Sequence, residues 1–145
     1  MLVRFQPGAQ TAAGAAPTKM PTRAEKLVAK LAVKCERLRS PIHVIAVCSG
    51  GRTVGRLIFK HLRAKKIPAS YHEVWTNIVG GRAKIWKSSF GKKDYVGTAL
   101  IAEDVIWFGR SVNAARAMLR SMRKGKVYTA VLLDFNRKAD FSVFS

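Results

Sequence analysis

Apolar and polar positions alternate along the chain in a way that divides residues 22–134 into eight segments. From Arg23 to Leu38 the apolar side chains Leu27, Leu31, Cys35 and Leu38 share one helical face, with Lys26, Lys30, Lys34 and Arg37 as a basic stripe beside it. Thr22-Arg23-Ala24-Glu25 has the form of a capping box, and Ser40-Pro41 breaks the helix. Ile42 to Val47 is β-branched and apolar on both faces, the pattern of a strand inside a parallel sheet, and it runs into Cys48-Ser49-Gly50-Gly51. Thr53 to Lys65 is helical again through Val54, Leu57, Ile58 and Leu62, with Arg56, Lys60 and Arg63 opposite. Ala69 to Val79 alternates as a strand, with Tyr71, Glu73 and Trp75 on one face and His72, Val74 and Thr76 on the other. Gly80-Gly81 interrupts it. Arg82 to Lys93 reads as an extended hairpin or a mobile loop, with Trp86 and Phe90 interleaved among basic residues. Val96 to Ala102 predicts a strand ending at Glu103-Asp104. Ser111 to Lys124 predicts a helix with Val112, Ala115, Leu119 and Met122 inward and Gly125 as its cap. Val127 to Asp134 predicts a last strand, and Phe135 to Ser145 a short tail.

Strands alternating with helices imply an α/β fold: a mostly parallel twisted sheet flanked by helices. A length of 145 residues with 48% hydrophobic side chains suits one domain with a packed core. No apolar run approaches the ~20 residues of a membrane helix, so no membrane partner is expected. Residues 1–21 are rich in Ala, Gly, Pro, Thr and Gln and predict a disordered leader ahead of a domain over 22–145. The leader has no acid and carries Arg4 and Lys19, a faint likeness to a transit peptide; a cytoplasmic location is expected, with organelle import left open. Cys35 and Cys48 have no metal spacing and predict buried free thiols. His43, His61 and His72 are scattered and form no evident metal set.

The candidate chemistry lies in two loops that each join a strand to a helix. Ligands of such sheets bind beyond the carboxyl ends of the strands. In Ser49-Gly50-Gly51-Arg52, paired glycines allow backbone N–H groups close to an anion at a helix N-terminus. A tight turn alone would also require glycine. In Glu103 to Ser111, two adjacent acids end an apolar strand and Gly109-Arg110-Ser111 opens a helix. Successive N–H groups there suit a phosphate, and Ser111 is an expected N-cap. Glu103 and Asp104 suit sugar hydroxyls, or Mg²⁺ held through water.

Leu100-Ile101-Ala102-Glu103-Asp104-Val105-Ile106-Trp107-Phe108-Gly109-Arg110-Ser111-Val112 resembles the phosphoribosyl pyrophosphate motif of type I phosphoribosyltransferases. Ser49-Gly50-Gly51-Arg52 resembles that family's pyrophosphate loop, and Arg82–Lys93 lies where the family has its mobile catalytic loop. The resemblance spans about residues 24–135. It implies that Glu103 and Asp104 act at the ribose hydroxyls and, indirectly, on Mg²⁺. It implies that Trp107, Phe108, Gly109, Arg110 and Ser111 cradle the 5′-phosphate, and that Ser49, Gly50, Gly51 and Arg52 meet pyrophosphate. Arg82, Lys84 and Lys87 would belong to the mobile loop. The implied enzyme transfers phosphoribose to a nitrogen base, releases pyrophosphate and works as a homo-oligomer. Two residues depart from the pattern: Phe108 replaces a small hydroxyl residue, and Trp107 stands where enzymes acting on 6-oxopurines carry an aspartate facing the base.

Charge adds a second function class. With 27 Lys+Arg against 8 Asp+Glu, the net charge is +19, and an anionic partner would offset the self-repulsion. Basic stripes recur at Lys26/Lys30/Lys34/Arg37, Arg56/Lys60/Arg63 and Arg116/Arg120/Arg123. The alternative is therefore a non-catalytic nucleic-acid-binding regulator or ribonucleoprotein subunit on the same fold; Trp86 and Phe90 suit either stacking on bases or packing in the core.

Overall fold

The computed structural model describes residues 20–122 and 124–145. The expected leader thus lies outside the described residues except for Met20 and Pro21, and so does Arg123. In chain order the elements are α1 (Arg23–Cys35), β1 (Ile42–Cys48), α2 (Arg52–Ala64), β2 (Ala69–Val79) and β3 (Arg82–Ser88). A 3₁₀ turn at Lys92–Asp94 follows, then β4 (Thr98–Ile106), α3 (Arg110–Met122), β5 (Lys126–Asp134) and β6 (Phe141–Phe144).

The strands form one sheet in the order β3-β2-β1-β4-β5-β6. All neighbours are parallel except β3, which returns antiparallel to β2. β1 occupies the middle because every one of its residues is buried, as its two-sided apolar pattern requires. Helices α1 and α2 cover one face, packing Val28, Leu31, Cys35, Ile58 and Leu62 against Ile42, Val44 and Leu100. Helix α3 covers the other with Val112, Ala115 and Leu119 against Ile45, Ile101 and Val131. Each fully buried Leu or Ile contributes about 1.5–3 kcal/mol, so these two layers dominate stability. The capping box forms as expected: Thr22 Oγ1 accepts from the Glu25 N–H at 3.1 Å, and Glu25 Oε1 accepts from the Thr22 N–H at 2.8 Å.

The structure corrects three expectations and decides two that were open. Helix α1 stops at Cys35 rather than Leu38, because the Glu36 N–H turns to Val33 O and the Leu38 N–H to Cys35 O, tightening the chain out of the α pattern. Strand β4 continues past the acidic pair to Ile106, because Val105 and Ile106 still pair with Leu133 and Asp134 of β5. The segment read as an extended hairpin or a mobile loop is a hairpin over its first half, so Arg82, Lys84 and Lys87, which the family resemblance assigned to the mobile loop, lie on the paired strand β3. Of the two roles open to Phe90, stacking on bases or packing in the core, the structure takes the second: it is 4% exposed, packed with His43, His72 and Tyr95. The tail contains β6, parallel to β5 after a return of only six residues, 135–140.

Buried Asp134 stabilises that return. Its carboxylate accepts from the Lys138 N–H at 3.0 Å and the Ala139 N–H at 2.8 Å. Asp140 then accepts from the Thr129 N–H at 2.8 Å, which brings Phe141 alongside Ala130. The histidines are less scattered than their positions suggest. His43 and His72 share Ser70: the Ser70 hydroxyl lies 2.6 Å from His43 Nδ1 and 2.8 Å from His72 Nε2. Among the described residues no group of three His, Cys, Asp or Glu is placed to hold a metal. Cys35 and Cys48 are free and buried.

Candidate functional site

β1 and β4 are adjacent and parallel, so the two loops that follow them open on the same edge of the sheet. The approach is close. A Cβ at Gly50 would lie 2.9 Å from Asp104 Oδ1 and 2.9 Å from Glu103 Oε1. One at Gly51 would lie 2.2 Å from Ala102 O and 2.9 Å from Val47 O. Proximity to backbone requires glycine at Gly51, whereas at Gly50 the neighbours are side-chain carboxylates that can shift. Ser49 and Gly50 are exposed, Gly51 is buried, and the Cys48–Ser49 peptide is cis.

The carboxylates are held by their own backbone. Glu103 Oε1 accepts from the Asp104 N–H at 3.0 Å, and Asp104 Oδ1 accepts from the Val105 N–H at 2.7 Å. No Lys, Arg or His among the described residues makes a salt bridge to either acid. Burial, followed by the side-chain hydrogen bond to Asp104, pushes the Glu103 carboxyl up to about 8. Desolvation thus disfavours the charged form of Glu103 at neutral pH.

The loop after β4 forms a pocket of about 170 Å³ bounded by Glu103 and by residues Val105 to Val112. Gly109 has φ +78°, a left-handed conformation that glycine adopts without a Cβ penalty. Helix α3 starts at Arg110, one residue before the expected start, so Ser111 lies inside the first turn rather than at the N-cap. Its hydroxyl accepts from Thr76 Oγ1 at 3.1 Å. The N–H groups of that first turn lack intrahelical partners and are available to an anion. Phe108 does not fill the pocket: it is 70% exposed, with the Arg110 guanidinium 5.5 Å from its ring centre.

Arg52 turns away from the acids. Its Nε donates to Glu73 Oε2 at 3.1 Å, and its guanidinium lies 5.0 Å from the Trp75 ring centre. Glu73 also accepts from the Tyr71 hydroxyl at 2.8 Å, and these hydrogen bonds hold its carboxyl below the usual range. Arg82, Lys84 and Lys87 stand on β3, beside neither acid.

The β5–β6 return supplies what sequence reasoning missed. Phe135 stacks on Trp107 with ring centres 4.1 Å apart and an 18° interplanar angle. Asn136 Nδ2 donates to the Trp107 carbonyl, and the Phe135 N–H donates to Ile106 O at 3.0 Å. A Cβ at Gly109 would meet Lys138 Cδ at 3.0 Å, so the Lys138 stem passes over the phosphate-type loop. The Asp-Phe-Asn run after β5 was the available signal, a cluster of turn-formers beside an aromatic.

The chain is similar in structure to a hypoxanthine phosphoribosyltransferase from Staphylococcus aureus, with a TM-score of 0.69 and 15% identity over 83% of this chain and 71% of that one. It is similar to a hypoxanthine-guanine phosphoribosyltransferase from Bacillus anthracis, with a TM-score of 0.67 and 21% identity over 83% and 75%. A glutamic acid mutant from a study of an invariant aspartic acid in HPRTs gives 0.71 and 18% over 83% and 75%. No family model matches the sequence, and no curated protein sequence matches it significantly. At these identities the likeness is one of fold, and the fold is that of the type I phosphoribosyltransferases expected from the two loops.

Proposed function

We propose that the chain is a phosphoribosyltransferase that holds phosphoribosyl pyrophosphate between the Ser49–Arg52 and Glu103–Ser111 loops. One observation carries the reading: two adjacent carboxylates, with no salt bridge to a cation among the described residues, close on Gly50, which precedes the N-cap of the neighbouring helix. Such a pair is costly in an empty fold and becomes favourable against sugar hydroxyls. The structural neighbours are named as enzymes of this class, which supports the assignment.

Magnesium fits this donor set. It is commonly bound through one or two carboxylates and substrate phosphates, and a dedicated protein cage is not required. Glu103 and Asp104 would hold it through ribose oxygens or water. When bound, it supplies positive charge against the pyrophosphate. The residues themselves position the sugar: the acids accept from its hydroxyls, the α3 N-terminus and Gly109 take the 5′-phosphate, and the Gly50-Gly51 backbone faces the pyrophosphate. The base nitrogen attacks the anomeric carbon as the bond to pyrophosphate oxygen breaks; pyrophosphate leaves with the bonding pair and the base gives up a proton. Orientation and charge stabilisation would supply most of the acceleration. Trp107 offers no carboxylate to a base, so recognition of a 6-oxopurine by that contact is not part of the proposal.

The test is calorimetric titration of phosphoribosyl pyrophosphate with Mg²⁺ into the wild type and Asp104→Ala, then pyrophosphate release with a panel of bases. Binding that Asp104→Ala abolishes, with turnover of at least one base, is expected. No binding to the wild type would overturn the proposal.

A further inference from the structure

Beyond the candidate site, the flank of the sheet on the α2 side is open, and its chemistry is unusual. Helix α3 packs on β3 from the opposite face, through Ile85. On the α2 side, register places Trp75 against Lys87, Asn77 against Lys84 and Val79 against Arg82, so these pairs share one surface. A register shift at Trp75/Thr76 leaves Trp86 as the extra residue of β3. The indole is 58% exposed and meets Trp75 at 6.1 Å between ring centres.

Guanidinium groups continue the row along α2. Arg52 lies 5.0 Å from the Trp75 ring, Arg56 5.8 Å from Tyr71 and Arg63 5.6 Å from Phe59. Residues 52–88 carry nine Lys or Arg and a single acid, Glu73, which is already engaged by Arg52 and Arg56. A second copy of this chain would meet the same excess of positive charge and be repelled. The partner that complements the surface has regularly spaced negative charge and flat apolar faces. Duplex bases are stacked on one another and hidden, whereas unstacked bases can lie on Trp86 and on guanidinium planes.

We propose that the β2–β3 flank and the α2 arginine row form a binding track for single-stranded nucleic acid, with Trp86 as its stacking platform and Lys84 and Lys87 as phosphate contacts. The track shares Arg52 with the proposed pyrophosphate loop, but Trp86, Lys84 and Lys87, on which its test rests, lie outside that site.

The test is fluorescence anisotropy with labelled oligo(dT) and oligo(U) of about 20 nucleotides, and a duplex of equal length, at ~50 and ~200 mM KCl. Three or four phosphate contacts predict a loss of roughly 10- to 50-fold in affinity between the two salts. Trp86→Ala should weaken single-strand binding about 5- to 100-fold, and Trp86→Phe should retain most of it. Lys84→Glu/Lys87→Glu should weaken it far more than Lys26→Glu/Lys30→Glu, which removes equal charge on α1. Circular dichroism checks the fold of each variant. No single-strand binding at the lower salt, an unaffected Trp86→Ala, equal losses in both charge variants, or equal affinity for the duplex would each overturn the proposal. So would equally tight binding of poly-glutamate, which would make the surface a general polyanion site.

Discussion

Glu103 offers a measurable consequence of the site's geometry. Burial against the Gly50 loop, then the hydrogen bond with Asp104, raises its carboxyl from 4.5 to about 8, while the Asp104 N–H opposes that rise. Between those values the folded chain keeps a proton that the unfolded chain has lost. Stability is therefore fully present below about pH 4.5 and falls as pH rises to about 8. At about 1.36 kcal/mol for each tenfold, the interval sets a ceiling of roughly 4–5 kcal/mol. Water reaching the partly exposed carboxyl screens the effect, leaving about 2–3 kcal/mol. Glu103→Gln keeps an oxygen to accept the Asp104 N–H and cannot ionise. Thermal denaturation of both proteins across the pH range, without ligand, isolates this group, because every other side chain is common to both. The variant should match the wild type near pH 4. Near pH 8.5 it should melt about 6–15 °C higher, at ~3–5 °C per kcal/mol for a domain of this size. A difference in melting temperature that does not change with pH would refute the placement of Glu103 in a desolvated site.

Two further substitutions probe the packing that builds the site. Gly51→Ala places a methyl against backbone carbonyls of β1 and β4 and should cost about 3 kcal/mol in urea denaturation. Gly50→Ala meets only the two carboxylates, so its stability should stay within about 1 kcal/mol. Its calorimetric affinity for phosphoribosyl pyrophosphate should fall roughly tenfold or more. Asp134→Ala leaves the Lys138 and Ala139 N–H groups unpaired beneath the return loop and should cost about 2–4 kcal/mol. Amide exchange should show β6 losing protection before β5, and Asp134→Asn, which keeps one acceptor, should lose less.

The basic stripes show how a surface pattern divides once the chain folds. Lys34 donates to Ser142 O at 2.8 Å, tying α1 to β6. Arg116 donates to Thr129 Oγ1 at 2.8 Å and to Lys138 O at 3.1 Å, bracing the return loop. Arg56, by contrast, stays 60% exposed beside Glu73 and Tyr71. One cation each from the α1 and α3 stripes, Lys34 and Arg116, thus acts as a strut, while the α2 arginines line the sheet flank beside β2.

Periodicity alone determined α1, β1, α2, β2, β4, α3 and β5, and with them the parallel α/β architecture. That information is local: Ile42 to Val47 is apolar on both sides wherever it lies, and Leu27 to Cys35 keeps its helical stripe. The Gly50-Gly51 and Glu103-Asp104 runs were legible for the same reason, as residue types at the ends of periodic segments. What only the tertiary structure decided depends on partners distant in sequence. Val105 is a strand residue because Leu133 lies beside it, and Phe141–Phe144 is a strand because β5 offers an edge across a return shorter than parallel neighbours usually need. Trp86 is exposed and Phe90 buried because a bulge shifts the register between Trp75 and Thr76. The acidic pair was visible as two letters. That Glu103 holds its proton is a matter of desolvation, set by how closely the Gly50 loop packs against it.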